Sequence, residues 1–416
     1  MITENCQFSI LSFGGLVFVS KPSLRLNLLY NTLVTFRIRR PHPSKKQILA
    51  ILVPPALVVA TVVAIFFGKG YQININGRVV DKTGMLVVKS QPDGGKIFLD
   101  GEWKSATPNT FSNLRPKTYL LRVEKQGYGT WEKQVNVYPE LVTDITAVFV
   151  SITPKLEPLT IGGANHPVYN EATHTIAYTT TNNKTGIWVL PIGRPLPITL
   201  FQSAPTLVMP DSESTQYSQA TNLVWSPDGS EILAQIGPKD YRLIDISQSK
   251  ELQKATTPEE ITKDWQATQT KKRLAFLESL TITPELARTA TASGTRWSPD
   301  ERKFTYQKDN GDGTASVIVH NMESPIPVDE KTDYTVITAA KDKLPPLVWY
   351  QDSYHFVIKD SGSLYLLRID GTNKTEIYSG AMEDDIFFMT PDGNKVVISA
   401  SFKKDVPPEL YAVSLR

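Results

Sequence analysis

Histidine is the side chain best suited to acid–base or metal chemistry near neutral pH. In this 416-residue chain the five histidines, His42, His166, His174, His320 and His355, stand far apart. No H-E-x-x-H, G-x-S-x-G or P-loop stretch occurs, so the spacings that build a zinc site, a nucleophile elbow or a phosphate cradle are missing. His174 and His320 fall on or beside expected strands and read as structural. "KDNGDGTAS", 308–316, with Asp309 and Asp312, has the look of a calcium loop. It lacks the ligand spacing of an EF-hand and lies where a hairpin should turn, so a turn is expected. Cys6 is the only cysteine, which excludes a disulfide framework or a Cys-based metal site within the chain. No catalytic residue, metal or cofactor is therefore expected. Tyr128 and Trp131 could stack on sugar or peptide, although the preferred reading makes them core aromatics.

The elements that position these residues are mostly strands. Proline at 29, glycine at 24 and many Thr, Tyr and Val residues favour turns and strands, and the length calls for two or three domains. A net charge of +2 with 21% charged residues lacks the basic excess of a nucleic-acid binder, so nucleic acid is dropped as a partner.

Residues 48–67, "ILAILVPPALVVATVVAIFF", carry no charge, and at helical rise they cover about 30 Å, the hydrocarbon thickness of a bilayer. A transmembrane helix is expected over 46–68. A cleaved signal peptide fits less well, because the run is long and ends in Ile65, Phe66 and Phe67 without a small-x-small site. Lys21, Arg25, Arg37, Arg39, Arg40, Lys45 and Lys46 precede the helix, opposed only by Glu4. This places the N-terminal segment, 1–45, in the cytoplasm and everything beyond a linker at 69–83 outside it.

Residues 84–151 read as short strands. In "WEKQVNVY", Val135 and Val137 alternate with Glu132, Gln134 and Asn136, and "PDGG" and "DGEW" supply turns. The segment resembles the PEGA domain: Pro92, Asp93, Gly94 and Gly95 stand for the Pro-Glu-Gly-Ala signature, with two letters changed. "YLLRVEKQGYGTWEKQV" carries the Gly-Tyr pair followed by a Trp. The resemblance implies a small β-sandwich outside the cell, behind a membrane anchor, acting as a surface-binding or spacer module.

Farther on, one phrase recurs: "LVWSPDGSEILAQ" (223–235), "GTRWSPDERKFTYQ" (294–307) and "FFMTPDGNKVVISA" (387–400). Pro227, Pro299 and Pro391 preset φ at the second turn position. Asp228, Asp300 and Asp392 accept backbone N–H bonds, and Gly229 and Gly393 can take the left-handed conformation that reverses the chain. Weaker copies begin near Val168, Trp265 and Trp349. The anchors Val168, Trp225, Trp265, Trp297, Trp349 and Met389 recur about every forty residues, which predicts a six-bladed β-propeller over 155–416. "TPELARTATAS", 283–293, reads as helix within the third unit. The last unit is one strand short, and "KLEPLTI", 155–161, is expected to pair with it and close the ring. The phrase resembles the TolB-like propeller repeat, which implies a fold and almost nothing about function.

The sequence thus predicts an all-β extracytoplasmic protein on a transmembrane helix, with a PEGA-like sandwich as stalk and a propeller as head. It is expected to bind, not to catalyse; envelope polysaccharide, peptidoglycan or a protein is the expected partner. The rival is a hydrolase or lyase with its site at the propeller axis. Because Cys6 is single and remote from the strand-rich segments, reductant is expected to leave the unfolding midpoint unchanged, and a large shift would refute the cysteine argument.

Overall fold

The computed structural model describes residues 45–68, 71–74, 79–182, 184–193, 204–255, 257–280, 282–383 and 385–416. The basic segment expected in the cytoplasm lies outside these residues up to position 44. By internal contacts the chain divides into Met1–Val62 and Val63–Arg416. Helix α1 (Lys45–Gly68) holds Pro54 and Pro55 within it, and Thr61 Oγ1 donates to Leu57 O at 2.8 Å. Where the linker is expected, β1 (Tyr71–Asn74) pairs antiparallel with β2 (Val79–Lys82).

Seven strands build the sandwich: β3 (Gly84–Gln91), β4 (Lys96–Leu99), β5 (Glu102–Ala106), β6 (Asn109–Leu114), β7 (Lys117–Glu124), β8 (Trp131–Val137) and β9 (Val142–Val148). One sheet runs β6-β3-β9, with β3 and β9 parallel, and the other runs β5-β4-β7-β8. Alternation decides what faces inward. Val135 and Val137 are buried while Glu132 and Gln134 are exposed, and Leu86, Val88, Ile97, Leu121, Val123 and Phe149 complete the core. Asp100 and Gly101, with φ of 51° and 84°, turn β4 into β5.

Among the described residues five four-stranded antiparallel sheets follow one another as propeller blades do. Blade I is β11 (Asn165–Asn170), β12 (Thr175–Thr180), β13 (Gly186–Pro191) and β14 (Thr206–Pro210). Blade II is β15 (Asn222–Trp225), β16 (Glu231–Gly237), β17 (Asp240–Asp245) and β18 (Lys250–Ala255). Blade III is β19 (Arg296–Trp297), β20 (Lys303–Asp309), β21 (Thr314–Asn321) and β22 (Asp333–Ala340). Blade IV is β23 (Leu347–Trp349), β24 (His355–Asp360), β25 (Ser363–Arg368) and β26 (Thr375–Ser379). Blade V is β27 (Phe387–Met389), β28 (Lys395–Ala400) and β29 (Glu409–Ser414), with β10 (Leu156–Pro158) as its outer strand.

The expected count of six strand units is corrected here. The unit anchored on Trp265 is helical, made of α2 (Pro258–Glu278) and α3 (Pro284–Thr291). The physical reason is local. Pro258 occupies the first helical position, Glu259 and Glu260 oppose the helix dipole, and no Gly or Pro interrupts the following residues to Ser279. Leu277 and Ala290 of these helices pack on Phe304 and Trp297 of blade III. Trp265 itself lies beside the Glu231 carboxylate of blade II, so the helical unit adjoins the blades on both sides of it in sequence.

Blade V closes on the chain's earlier end. β10 pairs antiparallel with β29, Leu156 opposite Val413, and Leu159 N donates to Leu410 O at 2.8 Å. Val397 and Leu410 of blade V then share a core with Ile176 and Leu190 of blade I.

The sandwich is not an isolated stalk. Val148 and Val150 enter the core of blades IV and V, and Ser151 N donates to Leu415 O at 2.7 Å. β8 meets the propeller through polar contacts. Lys133 Nζ pairs with Asp370 at 2.8 Å, Asn136 Nδ2 donates to Asp329 at 2.8 Å, and Glu132 N donates to Asn373 Oδ1 at 3.1 Å. Behind Asp370 lies buried Arg368, whose guanidinium serves Asp370 with one nitrogen and Glu330 with the other, the latter at 2.6 Å. Burial alone would raise the Asp370 carboxyl, but the charges of Arg368 and Lys133 outweigh it and hold it well below the usual carboxylate range.

Two outcomes test this architecture. Deleting 155–161 is expected to abolish amide-exchange protection in β29, far from the cut in sequence, and retained protection there would refute closure by β10. Asp370, whose folded pKa is depressed, contributes stability above about pH 4 and loses it as pH falls through the folded value. Asp370→Asn should therefore destabilise most at pH 7 by denaturant titration and somewhat less at pH 3, where the unfolded carboxyl is already protonated, the rest of the effect vanishing only as pH falls further through the folded value. Arg368→Met, which strands Glu330, should cost about 3–5 kcal/mol at pH 7. Equal losses at both pH values for Asp370→Asn would remove the charge argument.

Candidate functional site

The repeated phrase forms the same turn each time. Gly229 N donates to Ser226 O at 3.0 Å, Glu301 N to Ser298 O at 2.9 Å and Gly393 N to Thr390 O at 2.9 Å. The hydroxyls of Ser226, Ser298 and Thr390 donate to Asp228, Asp300 and Asp392 at 2.6–2.7 Å. Each hydroxyl oxygen also accepts the N–H that opens the next strand, from Glu231, Lys303 and Lys395. For Asp228 these local bonds, led by the one from Ser226, hold the carboxyl below its ordinary range. Asp300 and Asp392 are more buried. Burial pushes them up, but hydroxyl and backbone donors outweigh it and the net direction is again downward. Pro227, Pro299 and Pro391 occupy the second position of each turn.

The tryptophans tie each unit to the one before it. Trp225 Nε1 donates to Val168 O at 3.1 Å, and Trp349 Nε1 donates to Arg296 O at 3.1 Å; both acceptors lie on the innermost strand of the preceding blade. Trp297 Nε1 finds Ala290 O of α3 at 3.0 Å, so the helix supplies the acceptor that a strand supplies elsewhere. Met389 fills the anchor position of blade V inside the core shared with blade IV.

The remaining candidates do not converge. His174 Nδ1 bonds the Tyr169 hydroxyl at 2.8 Å, His320 Nδ1 bonds Asp333 at 2.8 Å, and buried His355 bonds Asp352 at 2.7 Å within its own turn. His42 lies outside the described residues. Among the described residues no cluster of three His, Cys, Asp or Glu could hold a metal. Asp309 and Asp312 accept N–H bonds from Gly311 and Thr314 in the β20–β21 hairpin. Trp131 is 2% exposed in the sandwich core and offers no free stacking face, while half-buried Tyr128 lies 5.9 Å from the Phe149 ring. An open groove of about 630 Å³ runs along α2 between Lys263, Gln266, Thr270, Leu274 and Glu278.

Sequence reasoning missed the Arg368–Glu330–Asp370 group and its neighbour, in which fully buried Lys303 pairs with Glu323 and lies 4.1 Å over the Tyr354 ring. The only sequence signal was charged residues inside apolar strands, "KFTYQ" and "LYLLRID". Among the described residues no helix is long and apolar enough to cross a membrane. In α1 the described side chains, Lys46 and 49–65, stop short of both ends of the uncharged 48–67 run.

Residues 83–152 match the model of the PEGA domain. No curated protein matches the sequence. Solved structures with a similar course of chain include one from the mitotic checkpoint complex, 12% identical, covering 64% of this chain and 93% of that one at a TM-score of 0.33. Others are oligogalacturonate lyase from Vibrio parahaemolyticus (10% identical, 83% and 96% covered, TM-score 0.27) and TolB from Acinetobacter baumannii (12%, 80% and 64%, 0.24). At these scores none of the three bears on what this chain does. The chain thus carries a PEGA domain at 83–152, followed by repeated four-stranded sheets consistent with propeller blades.

Proposed function

We propose that this protein is a membrane-anchored extracytoplasmic scaffold, in which a PEGA domain and a propeller joined to it present one binding module to the cell envelope. It acts by binding, not by turnover. The observation that carries the reading is α1. From Leu49 to Ile65 its large apolar side chains are exposed by 43% to 70%, on every side of the helix. Leaving so many Leu, Ile and Val side chains in water would forfeit on the order of 15 kcal/mol or more, comparable with the whole stability of a domain. A hydrocarbon surround removes that cost. The Thr61 hydroxyl, bonded to the helix's own Leu57 carbonyl, needs no water either. The basic residues ahead of the helix support a cytoplasmic N-terminus, and the PEGA match supports an extracytoplasmic place for the strand-rich remainder of the chain.

Cells producing the full chain provide the test. The protein is expected to stay with membranes through an alkaline carbonate wash, and protease added to intact cells should digest residues 84–416. Val58→Arg with Val62→Arg, each costing about 2.5–3.5 kcal/mol at the centre of a bilayer, should release or misinsert it. Full protection of 84–416 in intact cells would overturn the orientation, and recovery in the carbonate supernatant would overturn the anchor.

A further inference from the structure

The propeller takes one edge of the β5-β4-β7-β8 sheet, at β8, and leaves the other edge, β5, without a strand partner in this sheet. On the outward side of this sheet one cross-strand row runs Trp103, Phe98, Arg122, Glu132. Opposed residues of paired strands project to the same face. Since Ile97, Leu99, Leu121 and Val123 fill the core, the row faces outward. Trp103 is 65% exposed, while the chain's other tryptophans are buried or half-buried. Beside it the Arg122 guanidinium lies over the Phe98 ring, 4.7 Å from its centre, and exposed Leu120 continues the patch along β7.

Folding does not require an indole in water at that position. Two observations limit what covers it. The edge of β5 is poorly suited to a partner strand: it is five residues long, its pairing with β4 shifts register between Ile97 and Phe98, and Glu102 and Lys104 sit on it as an ion pair at 2.6 Å. The charges beside the row are also matched, since Arg122 pairs with Glu124 at 3.3 Å and Lys104 with Glu102, so the rim attracts neither anions nor cations strongly. A flat aromatic face beside a charge-balanced guanidinium and carboxylates suits a ligand with an apolar face and a hydroxylated edge. The C–H face of a pyranose stacks on the indole while its hydroxyls meet Arg122 and Glu132 of the same row. Adjacent strands lie about 4.8 Å apart, so the row offers several ring-sized steps.

We infer that this face is a carbohydrate-binding platform centred on Trp103 that takes charge-neutral hexopyranose chains. The inference deepens the scaffold reading by naming the envelope component, and it rests on that reading only for the ligand's location.

The full chain in nanodiscs is titrated with two probes, the β-1,4-linked hexamers of glucose and of N-acetylglucosamine. At least one is expected to shift tryptophan emission saturably. Trp103→Ala should weaken that binding roughly tenfold, the worth of one aromatic stack, while Trp103→Tyr keeps most of it and neither changes the unfolding midpoint. On the unsubstituted chain, the bound hexamer should shield Trp103 from oxidation, read by mass spectrometry, a measurement that does not depend on any variant's folding. No saturable change with either hexamer, equal affinity in Trp103→Ala, or equal oxidation with and without sugar would each overturn the proposal. So would a response confined to an extended Val-Thr hexapeptide titrated as a third probe, which would mark β5 as a strand-pairing edge. Membrane retention is read in a separate assay, so failure of sugar binding leaves the anchor standing.

Discussion

A four-stranded blade is apolar on both faces, so each blade of this molecule depends on another body of similar shape lying against either side. Blades I and II share one core, blades III and IV a second, blades IV and V a third, and blades V and I a fourth. Between II and III the neighbour is helical, and the substitution works because its contacts are equivalent, not its backbone. Leu277 and Ala290 supply apolar surface to Phe304, and Ala290 O supplies the acceptor for Trp297. Arg273 of α2 adds its guanidinium 4.1 Å from the centre of the Trp297 ring. What a blade requires of its neighbour is a smooth apolar wall with one free carbonyl at the right height. A helix terminus has such carbonyls by construction, because its last turn leaves them without partners inside the helix.

The join between sandwich and propeller obeys a different logic. Its apolar part, Val148 and Val150 in the core of blades IV and V, is continuous with the interior. Its polar part sets which way the two fit. Arg368 is nearly wholly buried and would be very costly alone. Its planar fork meets Glu330 and Asp370 at once, and Lys133 of the sandwich adds a second cation to Asp370. Glu330 and Asp329 come from the same loop of blade III, so that loop touches blade IV through one carboxylate and β8 through the other. Replacing such a group by hydrocarbon could leave stability unchanged while losing the geometry that matches these three elements, since apolar surfaces slide where ion pairs do not.

How much of this the sequence displays depends on how local the cause is. The turns of the repeated phrase are legible because Pro, Asp and Gly act within four residues, and the strand that closes the ring is implied by the shortage of one strand in blade V. The helical unit is misread when Trp265 is matched to the other anchors, although Pro258, Glu259, Glu260 and the uninterrupted run behind them announce a helix at short range. The Arg368 group is illegible because its members come from three separate segments. Trp131 and Trp103 show the same limit within the sandwich. Both are tryptophans near turns, and which one faces the core depends on strand parity and on the register shift at Ile97 and Phe98, which pairing alone decides.

The glycines of the repeated phrase carry a finer reading. Residues 229, 301, 353 and 393 occupy equivalent places and all have φ between 57° and 72°, yet only two are glycine. Positive φ alone therefore does not demand it. At Gly229 an added Cβ would lie 2.5 Å from Thr173, and at Gly393 it would lie 2.5 Å from Gln351, each on the corresponding turn of the preceding blade. Glycine stands where that earlier turn presses on the backbone. Blade III comes after helices and has no such turn before it, and there Glu301 is accommodated with its carboxylate 3.5 Å from Arg273 of α2. At Ser353 the preceding turn approaches with a donor, and the serine hydroxyl accepts the Asp300 N–H at 3.1 Å. The residue at this one turn position thus records what the previous unit presents to it. Glu301, standing where Gly229 and Gly393 stand, fits because the helical unit before blade III sets α2 and Arg273 there in place of a turn.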